Sequence, residues 1–175
     1  MRKRNIPFAY ATSLREVTPD FFHKLGIKTL LLDLDNTLDP YTVSVPTPET
    51  REMVERLQDA GIELIVTSNN SGKRVFRYCA ELGIECACFM AKPFSFKIKR
   101  LLKERKLDPA AVMLIGDQIM TDVKAGNGAG IRTMLTEPLD TSHEPVSTHI
   151  NRLFDRPKRK KMAKLGLLKD WRTFL

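Results

Sequence analysis

Cysteine is scarce in this chain. There are three in 175 residues, Cys79, Cys86 and Cys88. An odd count with no framework of spacings excludes a disulfide-stapled extracellular scaffold and fits a reducing, cytoplasmic compartment. Cys86 and Cys88 stand two apart, which puts them on one face of a strand, but no second Cys/His pair matches them as metal ligands. They read as small apolar residues of a core. Long apolar runs are also missing. No stretch approaches the ~18 residues of a membrane-spanning helix, so none is expected. The N-terminus, "MRKRNIPFAYATSLREV", is basic but lacks the continuous apolar segment of a secretory signal. No internal repeat is visible, which sets repeat arrays aside.

The rest of the composition is that of a soluble globular chain. It is 42% hydrophobic and 29% charged, over a length that suits one domain with a sizeable core. The net charge is +8, and nearly all of it sits at one end. From Asn151 to Leu175 nine Lys or Arg stand against two acids, which leaves +7 there and near neutrality elsewhere. The expected organisation is one domain over residues 1–175, with a core over about 28–138 and a basic helical tail over about 143–175.

Apolar runs and helical spacings alternate along the chain. "IKTLLLDL" reads as a buried strand, a continuous apolar run without helical spacing. "TPETREMVERLQDAG" reads as a helix, with Thr47 as N-cap, Pro48 at the first position and Gly61 as the stop. "IELIVTSNN", "IECACFMAKP", "AVMLIGDQ" and "IRTMLTEP" read as further strands. Helices in "SGKRVFRYCAELG", "FSFKIKRLLKERKL" and "MTDVKAGNGAG" separate them. This order predicts an α/β fold: a parallel sheet with helices on both faces. Beyond Pro138 a loop and one or two helices are expected, broken at Pro157, as an appendage to the domain.

The first strand ends in "DLDNTLD", which places Asp33, Asp35 and Asp39 where an apolar core has just been built. In open parallel sheets, ligands bind beyond the carboxyl ends of the strands. Other polar residues fall at the same edge: Ser68 and Asn69 after the second strand, Lys92 after the third, Asp117 after the fourth, and Asp122 five residues on. Each alone has an ordinary reading. Asp117 suits a helix cap, Ser68 a turn, Lys92 a solvated surface. Together, several carboxylates at one edge would repel one another unless a cation lay between them, and hard oxygen ligands suit Mg²⁺.

"DLDNTL", "VTSNN", "AKP" and "GDQIMTD", in that order, resemble the four signature motifs of the haloacid dehalogenase (HAD) superfamily of aspartate-nucleophile phosphotransferases. The resemblance covers about residues 28–135. It is closest to the YqeG-type subfamily, class IIIA, which opens with a segment like "TSLREVTPDFFHKLGIKTLLLDLDNTL" and closes with one like "THINRLFDRPKRKK". Related mitochondrial enzymes dephosphorylate phosphatidylglycerophosphate. The resemblance implies a Rossmann-like HAD fold and a Mg²⁺-dependent phosphatase. Asp33 would be the nucleophile and a metal ligand. Asp35 would bind the metal through its backbone carbonyl and serve as acid and base through its side chain. Asp117 would be a further metal ligand. Ser68 would hold phosphoryl oxygens, with Asn69 beside it in the substrate site, and Lys92 would balance charge. Asp122 would stand behind the ligands, orienting Lys92 or a metal-bound water.

HAD enzymes for small metabolites usually carry a cap domain. Here about nine residues separate Leu38 from the first helix, and one helix and one strand fill the span from Ser68 to Lys92. Neither gap fits a cap, so an open site is expected. The expected partner is a phosphomonoester. The basic tail suits an anionic membrane surface, nucleic acid, or solvent. The leading reading is a cytoplasmic phosphatase, peripheral at the membrane, acting on phosphatidylglycerophosphate or another anionic ester. The rivals are a phosphatase of soluble nucleotide or sugar phosphates, and a nucleic-acid or ribosome-binding adaptor on a HAD scaffold.

Overall fold

Six strands form one sheet: β1 (Ala9–Ala11), β2 (Thr29–Leu32), β3 (Glu63–Thr67), β4 (Glu85–Ala87), β5 (Val112–Gly116) and β6 (Arg132–Thr136). The computed structural model describes residues 3–70, 72–144 and 146–175. Strand order is β1-β6-β5-β2-β3-β4, and every pairing is parallel. β2 lies at the centre, between β5 and β3, with all four residues buried. A strand covered on both faces has no solvent side, hence the unbroken apolar run. Leu30 and Leu32 enter the core layer that includes Phe21 and Phe22 of α1 (Pro19–Lys24), Met53, Val54 and Leu57 of α2 (Pro48–Asp59), and Val75 and Tyr78 of α3 (Lys73–Leu82). Leu31 points to the other layer, with Ile98 and Leu102 of α4 (Phe96–Glu104) and Ala125 of α5 (Lys124–Ala129).

The chain leaves β2 towards β3 and β4, then returns to the opposite side of β2 as β5. That reversal opens a crevice beyond the strand ends, where ligands bind in such sheets. α2 begins as the sequence predicts: the Thr47 hydroxyl accepts from the Thr50 N–H at 3.3 Å and Pro48 takes the first turn. Ser71, expected at the start of the second helix, lies outside the described residues.

Two expectations change. β1 was not anticipated. It is three residues long, "AYA", with no apolar run to announce it, and it joins the sheet by pairing with β6. The tail is not an appendage, and Pro157 does not break it. Residues Val146–Lys164 form one helix, α6, with Pro157 inside. Proline removes the N–H that would reach the Leu153 carbonyl, yet Leu153 and Pro157 are both on the exposed face, so losing that bond does not strand an oxygen in the core. The opposite face is held by buried Arg152, Asp155 and Met162. Beyond α6 the chain closes on the N-terminus. Tyr10 pairs with Asp170, Trp171 packs edge-on to Phe21 at 5.9 Å, and Phe174 stacks on Phe8 at 4.9 Å.

Asp39, the acid just after the first motif, is structural. Its buried carboxylate accepts from Tyr78 Oη (2.6 Å), Thr47 Oγ1 (2.7 Å), Arg15 (2.8 Å), Thr50 Oγ1 (3.0 Å) and the Thr47 N–H (3.0 Å). Burial, and then the Asp39 carboxylate, hold the Tyr78 phenol well above its usual pKa. This hub ties the loop after β2 to α2 and α3. Asp39→Ala leaves five donors without their shared acceptor and is expected to cost about 3 kcal/mol. Urea unfolding at neutral pH checks this, and a loss under about 0.5 kcal/mol would remove Asp39 from the framework.

Candidate active site

Asp33 follows β2 directly, and its N–H donates to the Ile115 carbonyl of β5 at 2.9 Å. Its carboxylate meets Lys92 Nζ at 2.6 Å. The lysine is buried and donates to Asp33 and, at 2.8 Å, to the Thr67 carbonyl; Asp122 Oδ1 stands 2.7 Å from Nζ as an ion-pair partner, off the line of a hydrogen bond. Its backbone is held as firmly. The Lys92 N–H donates to Asn69 Oδ1 at 2.7 Å, and Asn69 Nδ2 donates back to the Lys92 carbonyl at 2.8 Å. The Asn69 amide is therefore engaged in placing Lys92. Burial works against charge on Lys92, but the Asp122 and Asp33 carboxylates outweigh it and set its pKa above the usual lysine range.

Asp117 follows β5 and is completely buried. Asp122 reaches it from one turn along a π-helical segment, Ile119–Val123. The preceding residue has to be glycine. A Cβ on Gly116 would lie 2.3 Å from Asp122 Cγ, in the space that carboxylate occupies. One carboxylate oxygen each from Asp33, Asp117 and Asp122 lie within 4.8 Å of one another. Burial pushes the Asp33 carboxyl well up; Lys92 opposes it, and the Asp122 and Asp117 charges add to it. Asp117 is pushed up to about 7 by burial, against the pull of Arg152.

The cluster suits a divalent cation bound by oxygen. Four buried or nearly buried acids, Asp33, Asp117, Asp122 and Glu144, are joined to two cations, Lys92 and Arg152. With all four ionised, two negative charges would be left unbalanced. Asp117 Oδ1 has no hydrogen-bond partner among the described residues, although it is fully buried. An orphaned carboxylate oxygen beside two others is a ready ligand for a hard cation.

The Asp35 carboxylate lies outside this cluster. It forms an ion pair with Arg74 of α3 and accepts from Asn70 Nδ2 at 2.8 Å. Ser68 lines the cleft, its hydroxyl accepting from the Asn70 N–H at 3.0 Å. The cleft, about 430 Å³, is bounded by Asp33, Asp35, Ser68, Asn69 and Lys92, and also by Tyr41, Glu144, Thr148 and Asn151. The structure thus brings every expected site residue to one place; Asp117 and Asp122 lie behind its wall.

Sequence reasoning missed Arg74, Glu144 and Arg152. Arg74 carried a signal: two cations, Lys73 and Arg74, open a helix with no acid in its first turn, against the helix dipole. Asn36 holds the far loop. In the left-handed region at φ 66°, which asparagine tolerates, it donates to Glu144 and accepts from the Asp140 N–H at 3.2 Å. Nothing local in "TSHEPVSTHINR" marks that contact.

A parallel sheet with buried carboxylates and a lysine beyond its switch point is the frame of a doubly wound α/β enzyme with its site at the carboxyl edge. The sequence model of the haloacid dehalogenase-like hydrolase family matches residues 8–136, and the chain belongs to that family. It is 30% identical to the Bacillus subtilis (strain 168) protein named Probable phosphatase YqeG, over 89% of this chain and 90% of that one. It is 28% identical to Phosphatidylglycerophosphate phosphatase 1, chloroplastic/mitochondrial, of Arabidopsis thaliana, over 95% of this chain but only 48% of that protein. The fold matches the cobalt-bound deoxy-D-mannose-octulosonate 8-phosphate phosphatase of Haemophilus influenzae with a TM-score of 0.51. That match has 21% identity and covers 63% of this chain and 69% of the other. The chain is a YqeG-type phosphatase of the HAD family.

Proposed function

We propose that this phosphatase hydrolyses an anionic phosphomonoester through an aspartyl-phosphate on Asp33, with Mg²⁺ as its cofactor. The observation that carries the reading is the Asp33 carboxylate at the cleft floor, held by Lys92 beside Asp117 and Asp122. One Asp33 oxygen attacks phosphorus, and the ester P–O bond breaks as the new P–O bond forms. Asp35 protonates the leaving oxygen, then takes the proton of the water that attacks phosphorus and frees inorganic phosphate. For the first step Asp35 must carry a proton; Arg74 and Asn70 then hold the carboxylate so formed, the form that takes the proton from water. Ser68 and Lys92 hold phosphoryl oxygens and charge. Asp33, Asp117 and the backbone carbonyl of Asp35 would hold the cation, with Asp122 keeping Lys92 in place. Bound there, Mg²⁺ supplies charge that lowers the repulsion between carboxylate and phosphate.

The substrate class follows from the rim. Among the described residues no cap covers the cleft, and large apolar side chains stand exposed on segments that also line it: Phe89, Phe94 and Phe96 flank Lys92 and Pro93 in the chain, and Ile150, Leu153 and Phe154 share α6 with Thr148 and Asn151. Arg156, Lys160, Lys161 and Lys164 are exposed along α6. Apolar side chains beside cations favour the surface of an anionic bilayer, and so a lipid phosphate such as phosphatidylglycerophosphate. Not every basic residue of the tail is free for this. Arg159 donates to the carbonyls of Asp117 and Thr136 and to Glu137, so the recruitment test must spare it.

Phosphate release from phosphatidylglycerophosphate in vesicles is expected to exceed release from soluble nucleotide and sugar phosphates. Replacing Arg156, Lys160, Lys161 and Lys164 by Gln is expected to weaken binding to anionic vesicles by up to about a thousandfold, at ~1 kcal/mol for each of the four charges. Turnover of a small soluble ester stays unchanged. Equal sedimentation of variant and wild type removes the membrane from the reading. RNA binding with negligible turnover replaces the enzyme by an adaptor.

A further inference from the structure

α6 enters the site from the far end of the chain, and its inward face does more than cover the core. Asp155 accepts the N–H groups of Ile119 (2.9 Å) and Met120 (3.1 Å), the first turn after Asp117. Asn151 Nδ2 donates to Gln118 Oε1 at 3.3 Å. Between them, Arg152 reaches Asp117 itself. Its guanidinium donates to Asp117 Oδ2 and, at 3.3 Å, to the Asp117 carbonyl. On its other edge Nε donates to both Glu144 oxygens, at 3.1 and 3.2 Å. Glu144, anchored by Asn36, is itself shielded from solvent. A planar fork with five donors can bridge two carboxylates at fixed angles, as a lysine cannot.

The two oxygens of Asp117 are therefore unlike. Oδ2 is taken by Arg152, and Oδ1 is buried without a partner in the company of Asp33 and Asp122. We infer that Arg152 is a positioning residue for the divalent-cation site: it holds Asp117 by one oxygen so that the other is presented to the cation, with Glu144 holding Arg152 in turn. This rests on the reading of Asp117 as a metal ligand. It gives the C-terminal helix a place in a site that no cap covers among the described residues. Groups that orient metal ligands typically contribute tenfold to a hundredfold in affinity.

The test is Mg²⁺ binding to the purified chain by isothermal titration calorimetry, with no substrate present. Wild type binds. Arg152→Ala is expected to bind about tenfold more weakly or worse. Arg152→Lys recovers part of the loss, because an ammonium can meet Asp117 or Glu144 but does not bridge both with the same planarity. Glu144→Gln loses less than Arg152→Ala. In turnover of a soluble phosphomonoester, the Mg²⁺ concentration for half-activation rises in the same order, while KM for the ester at saturating Mg²⁺ does not. A merely structural arginine would lower the melting temperature without that split. If Arg152→Ala does not fold, Arg152→Lys decides: wild-type Mg²⁺ affinity in it overturns the inference. Equal affinity in a folded Arg152→Ala does the same. Tighter binding there also overturns it, since Arg152 would then be a competitor of the cation. Wild type that binds no Mg²⁺ overturns the cation reading and this inference with it.

Discussion

Asp33→Asn is expected to reduce phosphate release about a thousandfold or more, while the protein melts at or above the wild-type temperature. The two halves of this result have separate causes. The amide has the shape of the carboxylate but is too poor a nucleophile to attack phosphorus, so the covalent route closes. The fold gains, because burial and the neighbouring Asp122 and Asp117 charges already push the Asp33 carboxyl well up. Removing one of three crowded negative charges relieves that repulsion. Lys92 keeps the Thr67 carbonyl as acceptor and Asp122 as its ion-pair partner. Rapid-quench mass spectrometry should find a phosphorylated Asp33 peptide in wild type alone. Activity of the variant within about tenfold of wild type would discard the aspartyl-phosphate.

Chelation is the second large effect. Exhaustive EDTA treatment should abolish turnover, and Mg²⁺ should restore it. Four acids share two cations around the cleft floor, and Asp117 Oδ1 is left without a donor. A cation that binds only the folded chain also stabilises it, by about 2.7 kcal/mol at a hundred times its Kd. The melting temperature should therefore rise with Mg²⁺ in wild type, and rise less in Asp117→Asn. Full turnover in chelated enzyme, or a melting temperature indifferent to Mg²⁺, would remove the cation from the site.

The core of the fold was legible because its causes are local. A strand buried on both faces must be apolar throughout, and "TLLL" is. Thr47 and Pro48 start a helix wherever the next turn is amphipathic. Alternation of such elements admits few topologies. β1 lacked any of this: "AYA" is a strand only because β6 offers it an edge. The Pro157 expectation failed for a related reason. A proline's cost depends on whether the carbonyl it strands faces water, and the sequence does not say which face of α6 is outward.

The same division runs through the site. Order along the chain was enough to put Asp33, Ser68, Lys92 and Asp117 at successive strand ends, since a parallel sheet delivers every strand end to one edge. It was also enough to mark the acids as costly away from a partner. Which partner each acid takes was decided in three dimensions. Asp39 turned into the framework, towards Tyr78 and Arg15; Asp35 went to Arg74; Asp117 was met by Arg152 from 35 residues away. Such pairings have no spacing rule. They exist because burial makes an unpaired charge expensive, and the packed chain brings up whichever counter-charge reaches that point.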